Sequence, residues 1–342
     1  MDHGRFASVA RRPSQSLRSL LSIAALIFLV SASPAKTMTD ELAALRRADE
    51  RLAAVMYRLS LANAALCDEK MPGTGLVLQT ISQYPRDARF AAKEVFGFLE
   101  PVSVEAVVKG SPAEASQIQA NDGLIRIANI DLSQSADADG ATSADRDRIE
   151  RSMASLPLDR PIQLEVRRGS VPAPFPVTLN PSIICKTRFE VLASSSLLGQ
   201  SDGDTIQIGD AFIAAFDDDA LAVIAAHELA HTILHHRQRL EAAGVSKGLF
   251  SEFGKSLRLN RQAEEEADRF SVYLLANAGY DPNIAPEFWE GRGRKVDPGI
   301  FRSRIYASPS KRAATMRQEI SSMSQETRPF RTLPIYLQRG PL

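Results

Sequence analysis

The sequence predicts an α+β protein in which a mainly helical C-terminal domain with a small edge sheet follows a β-rich domain. Two observations carry the prediction. Between Met71 and Pro181, short apolar runs such as Val104–Val108, Leu124–Ile127, Ile162–Val166 and Phe175–Leu179 alternate with turn residues, as strands do. Beyond Asp217 the texture changes to breaker-free stretches, Ala220–Ala226 and Arg261–Ala278, which read as helices. At 342 residues, 44% hydrophobic and 24% charged, the chain is globular and long enough for two domains and an export signal. Basic and acidic residues balance at 41 each, with no basic stripe or phosphate loop, so no nucleic-acid partner is expected.

Residues 1–35 read as a signal peptide. Arg5, Arg11, Arg12 and Arg18 precede an apolar run from Leu20 to Val30, and small residues lead to Ala35, where cleavage is expected. Such a run is short for a membrane span. The expected location is the periplasm; the alternative is an uncleaved segment that anchors the chain in the inner membrane, and peripheral membrane association fits as well. Oligomeric state is left open. Residues 36–69 hold an amphipathic helix, Thr39–Leu66, with Leu45, Leu52, Leu59 and Leu66 a heptad apart. It is expected to dock on the C-terminal domain.

Residues 70–182 carry the β-rich domain. The order Val104–Val108, Gly110-Ser111-Pro112-Ala113, Asn121-Asp122, Leu124–Ile127, a helix over Ala144–Leu156 and two later strands resembles a PDZ domain of the bacterial protease type. Gln117 and Asn121 stand where glycines are usual, and asparagine tolerates left-handed backbone. The resemblance implies that Phe96-Gly97-Phe98 presents backbone N–H groups to the C-terminus of a peptide added as a strand. The alternative is a turn between two core aromatics. Gln134–Ser143 reads as a surface loop. Cys67 and Cys185 bracket this domain, and an even cysteine count in an exported chain favours a disulfide between them.

Residues 183–342 carry the chemistry. His227-Glu228-Leu229-Ala230-His231 reads H-E-x-x-H. On a helix, His227 and His231 share a face and can aim at one metal ion, while Glu228 sits one step round. A third histidine six residues after the second is absent, because Arg237 stands there, and Leu234 replaces the glycine that would accompany it. His235 and His236, read as part of the same helix, are poorly angled, so the third ligand should be a carboxylate. Glu264 follows His231 by 33 residues and lies one helical turn before Asp268.

The pair H-E-x-x-H and E-x-x-x-D, continuing through Ala278-Gly279-Tyr280-Asp281-Pro282, resembles the gluzincin metallopeptidases of the HtpX and BepA family, peptidase family M forty-eight. The resemblance implies one Zn2+ ion held by His227, His231 and Glu264, with Asp268 orienting a ligand histidine and Glu228 as general base. Glu265 and Glu266 read as a solvated acidic face. It also implies that the strand Thr205–Gly209, after a turn at Ser201–Asp204, borders the cleft and pairs with polypeptide substrates. One departure stands out. Where the family carries a histidine near its C-terminus, this chain has Ser308; Arg304, Tyr306 and Arg312 nearby read as surface or packing residues, and His236 as structural. The expected function is an exported zinc endopeptidase acting on misfolded or unassembled envelope proteins. The rival is a zinc-bearing chaperone or adaptor that binds peptides through its PDZ-like domain with little proteolysis.

Overall fold

A 29-residue helix, α1 (Pro34–Ala62), is the spine on which both halves of the molecule pack. The computed structural model describes residues 34–133, 140–193, 199–201, 205–245, 254–296, 305–323, 334, 337 and 339–342. The expected signal segment up to Ser33, Arg304 and most of the two expected loops at Gln134–Ser143 and Ser201–Asp204 lie outside them. Leu52, Val55, Met56 and Leu59 of α1 are buried in the core of the C-terminal half. Ala53 and Tyr57, on another face, meet Val108 and Ile184 of the β-rich half. The amphipathic period thus serves two contacts, and the helix gives way to a short 3-10 turn, Ala64–Leu66, before Cys67.

Ten elements and one further strand build the β-rich half: β1 (Lys70–Gly73), β2 (Leu76–Thr80), α2 (Arg89–Phe96), β3 (Val102–Val107), α3 (Pro112–Ala115), β4 (Gly123–Ile127), β5 (Ile130–Asp131), α4 (Ala144–Ala154), β6 (Ile162–Arg167), β7 (Phe175–Leu179) and β8 (Ser182–Cys185). A six-stranded antiparallel sheet has the order β2-β3-β4-β6-β7, with β5 added to β4. Leu78, Val104, Leu124, Val166 and Leu179 form its separate core with Ile149 of α4. Gln117 and Asn121 both take left-handed backbone, with φ of 59° and 71°. The ribbon β1–β8 closes this half, with Lys70 opposite Cys185, and Cys67 and Cys185 are joined in a disulfide.

The triplet expected to bind a carboxylate is built differently. Phe96 ends α2, and Phe96 and Phe98 are buried against Tyr84, with ring centroids 5.7 and 5.9 Å away. The Gly97 N–H donates to Lys93 O at 3.0 Å and the Phe98 N–H to Phe96 O at 3.0 Å, so both donors are already used. A Phe-Gly-Phe triplet suits a core turn as well as a binding loop, and here burial of two rings decides.

The C-terminal half comprises β9 (Arg188–Leu192), β10 (Gly199–Ser201), β11 (Thr205–Gly209), α5 (Asp210–Ala215), α6 (Asp218–Ile233), α7 (His236–Ala242), α8 (Gly254–Asn277), α9 (Ile284–Glu290) and α10 (Pro309–Ser322). Its sheet runs β10-β11-β9. β11, expected at the cleft edge, is the central strand, antiparallel to β10 and parallel to β9; β10 is the edge beside α6. Leu221, Ala225, Leu229, Phe270, Leu274 and Met316 fill the core between the helices. Among the described residues, no helix is long and apolar enough to cross a membrane.

Candidate metal centre

Helix α6 starts where Asp217 caps it, its carboxylate accepting the Ala220 N–H at 3.1 Å, with Asp218 and Asp219 in the first turn facing the positive end of the helix dipole. From Ala220 to Ala230 every residue of α6 is buried, so the helix runs through the core and carries His227 and His231 inside. Helix α8 packs on it and delivers Glu264 and Asp268; its end is marked by Gly279, at φ 75°.

These side chains converge. Nε2 of His227 lies 3.1 Å from Nε2 of His231 and 3.2 Å from Oε2 of Glu264, and the remaining edge, His231 Nε2 to Glu264 Oε2, is 3.7 Å. Three donors at zinc bond lengths of 2.0–2.1 Å in a tetrahedron stand about 3.4 Å apart. The triangle therefore suits one ion, and nitrogen, nitrogen and carboxylate oxygen are the donors such an ion takes. Burial pushes the Glu228 carboxyl above its usual range, against the pull of His227 and His231. Burial would raise Glu264 as well, but the two histidines outweigh it and hold its carboxyl well below the usual range. Burial opposes a charge on His227, yet its hydrogen bonds to Asp268 and Glu264 lift it to about 10. A metal ion competes with that proton for Nε2.

Each histidine has a partner on its far side. Nδ1 of His227 is 3.0 Å from Oδ1 of Asp268. Asp268 is buried and its acidity is raised chiefly by Arg312, which overcomes the effect of burial. Arg312 reaches down from α10, donates from Nε to Oδ2 at 2.7 Å and from Nη2 to Oδ1 at 2.5 Å, and stacks 3.5 Å above the Trp289 ring centre. Expected to be a surface or packing residue, Arg312 is buried, at 7% exposed. The pattern carried a signal: Arg312 shares its helix face with Ala313, Met316 and Ile320, so a charge there had to find a buried partner.

His231 has the second such partner. Helix α6 ends at Ile233, His235 takes a left-handed conformation (φ 53°, ψ 36°), and α7 restarts at His236. His235 and His236 are therefore not on the helix that carries His227 and His231. The break swings the His236 ring back until its Nδ1 lies 2.8 Å from Nδ1 of His231, while its Nε2 lies 3.3 Å from Glu266 Oε2. Burial pushes His236 down to about 4. Glu266, expected in a solvated face, is 7% exposed and accepts from Arg239 Nη1 at 2.7 Å. It falls on the inward stripe Ala263, Ala267, Phe270 of α8, whereas Glu265 does point outward and pairs with Arg269.

Ser308, at the position where a histidine was expected, caps α10 by accepting the Lys311 N–H at 3.3 Å. With Tyr306, Arg261 and Lys311 it lines a hollow of about 310 Å3 beside Glu264. The Glu264 carboxylate and burial raise the Tyr306 hydroxyl above its usual range. On the opposite side the edge strand presses close, for a methyl group on Gly199 would stand 2.7 Å from Ile224 Cγ2 and 3.4 Å from Glu228 Cγ.

A histidine pair and a glutamate on two packed helices, with a buried glutamate beside them, is a donor set suited to a metal-dependent hydrolase. No family model matches the sequence. The chain is similar to mitochondrial metalloendopeptidase OMA1 of Schizosaccharomyces pombe, 30% identical over 21% of this chain and 27% of that protein. It is also similar to mitochondrial metalloendopeptidase OMA1 of Arabidopsis thaliana, 31% identical over 23% of this chain and 20% of that protein. The matched part spans about a quarter or less of the length of these relatives. The likeness is distant, and it is to metalloendopeptidases.

Proposed function

We propose that this chain is a zinc-dependent endopeptidase of the HtpX and BepA kind, exported to the periplasm, that hydrolyses misfolded or unassembled envelope proteins. The observation that carries the reading is the convergence of His227 Nε2, His231 Nε2 and Glu264 Oε2 within 3.7 Å of one another, with Glu228 beside them. These three residues would hold the ion. When bound, zinc acidifies a water molecule and polarises a carbonyl. Glu228 takes the proton of the attacking water and passes it to the leaving amine. Its burial suits that task, since a carboxylate raised above its usual range is a stronger base toward the attacking water. Asp268 and Arg312 hold the His227 ring in register.

The substrate reading rests on main-chain pairing. Among the described residues β10 is the edge strand of its sheet and lies next to Glu228, and pairing through backbone groups suits unfolded chains of any sequence. In the PDZ-like half, β2 is likewise an edge strand among the described residues, and the cavity of about 160 Å3 beside it, which Leu76 and Met153 line together with Asp49 of α1 and Glu190 of β9, belongs to the seam between the two halves.

The test is cleavage of unfolded casein by the zinc-loaded protein. Glu228→Gln should keep its metal and lose about 100- to 10,000-fold in rate. A wild-type protein that binds zinc and unfolded chains but cuts none would favour the chaperone or adaptor reading; equal rates in both proteins would remove Glu228 from the chemistry.

A further inference from the structure

His236 has no place in the reaction as drawn, yet it is buried, titratable and in contact with a proposed ligand. We infer that His236 is a positioning residue for His231, doing for the second histidine what Asp268 does for the first. The assignment rests on the proposed metal site and adds to it a residue outside the two sequence motifs.

The geometry fixes the protons in turn. If His231 offers the lone pair of Nε2 to a metal, its own proton must sit on Nδ1. That Nδ1 is 2.8 Å from Nδ1 of His236, which must therefore accept and carry no proton there. The remaining His236 proton is on Nε2, which donates to Oε2 of Glu266 at 3.3 Å. Glu266 is held in turn by Arg239 Nη1 at 2.7 Å and by Gln262 Nε2, which donates to Oε1 at 3.0 Å. Every link points one way, from His231 through His236 to a carboxylate that is itself clamped.

Two features argue against simple packing. His236 is 2% exposed, where imidazole carries a desolvation cost that a purely apolar ring would not, and the chain adopts a left-handed residue, His235, to bring it there. The two ligand histidines are thus braced by different chemistry: His227 by an anion tied to Arg312, His231 by a neutral ring tied to Glu266. A neutral acceptor fixes ring orientation without adding a second negative charge beside Glu264.

The test compares His236→Leu, which removes the acceptor, with His236→Asn, whose Oδ1 can stand near the lost Nδ1, and with Arg237→Ala, at an exposed position paired with Glu241, as a neighbouring control. Zinc affinity is measured by competition with a chromophoric chelator. His236→Leu should weaken zinc about 10- to 100-fold, His236→Asn should recover most of that loss, and Arg237→Ala should change nothing. Ring 15N spectra of the zinc-loaded wild type supply a readout that does not depend on a variant folding: His236 should be neutral with its proton on Nε2. Wild-type zinc binding combined with unchanged affinity in His236→Leu, or a His236 proton on Nδ1, would overturn the assignment alone. A wild-type protein that takes up no zinc would overturn the metal reading and the assignment with it.

Discussion

Arg312 shows how much one side chain can hold in place. It is bidentate to Asp268, which in turn contacts His227, and it lies on the Trp289 ring. Lysine offers a point charge without the planar fork, so Arg312→Lys should keep the fold but loosen Asp268. Arg312→Leu strands a buried carboxylate, and removing one partner of a buried ion pair costs about 3–5 kcal/mol. Thermal unfolding should therefore rank wild type above Arg312→Lys above Arg312→Leu, and zinc affinity should fall in the same order; equal melting temperatures would return Arg312 to a packing role. The metal-facing residues were legible in sequence because helix periodicity alone puts His227 with His231 and Glu264 with Asp268. Their partners were not. Arg312, His236 and Glu266 are drawn in by tertiary contacts, and the only local trace of them is a polar residue on an apolar stripe or a helix that breaks early.

Among the elements, α6 and α8 were readable from their breaker-free runs, although α8 begins at Gly254 rather than at the expected Arg261, whereas strand order was not. Thr205–Gly209 has the alternation of a half-buried strand, which says that it belongs to a sheet but not whether a neighbour lies on one side or both. The short strand β10 takes the edge because glycine at 199 lets its backbone approach α6 to within contact of Ile224 and Glu228. At its other end, the Ser201 hydroxyl is 3.3 Å from that of Thr232, which also donates to Glu228 O at 3.4 Å. The edge is thus pinned to the helix that carries the proposed base. Gly199→Val should push β10 away, and an ångström of displacement at a reacting centre can cost on the order of 100-fold in rate. The expected signature is a fall in kcat/KM for casein with zinc content unchanged. Loss of zinc in Gly199→Val would mean that the strand shapes the ligands, and an unaffected rate would mean that substrates do not run along it.

The two halves meet over a partly buried polar seam as well as the apolar contacts of Ala53 and Tyr57 with Val108 and Ile184. Arg146 of α4 bonds Glu190 of β9, Gln207 of β11 bonds the same Glu190, and Arg188 of β9 reaches back to Asp147 and Glu150 of α4 at 2.6 and 2.9 Å. The Cys67–Cys185 link ties the ends of the β-rich half together beside this seam; closing a loop of 118 residues restricts the unfolded chain by roughly 5 kcal/mol in the loop-entropy picture. Within the seam, Asp49 of α1 stands near Glu105 of β3, whose Oε2 accepts from Gln79 at 2.7 Å and whose Oε1 is buried without a partner among the described residues. Burial raises Asp49 from 3.8 to about 7, against Arg146 and the Val191 N–H and with the help of Glu190. The sign follows from which state holds the proton. Between pH 4 and 7 the folded chain keeps a proton on Asp49 that the unfolded chain has released, so this group's contribution is complete in acid and fades as pH rises through 7. Asn at position 49 is neutral at every pH and keeps the shape. Asp49→Asn should therefore match wild type near pH 4 and draw ahead of it as pH rises to 7, by on the order of 2–4 kcal/mol at pH 8. Urea unfolding across that range decides the matter: curves for the two proteins that stay parallel from pH 4 to 8 would mean that Asp49 titrates in its ordinary range and that the seam carries no proton of its own.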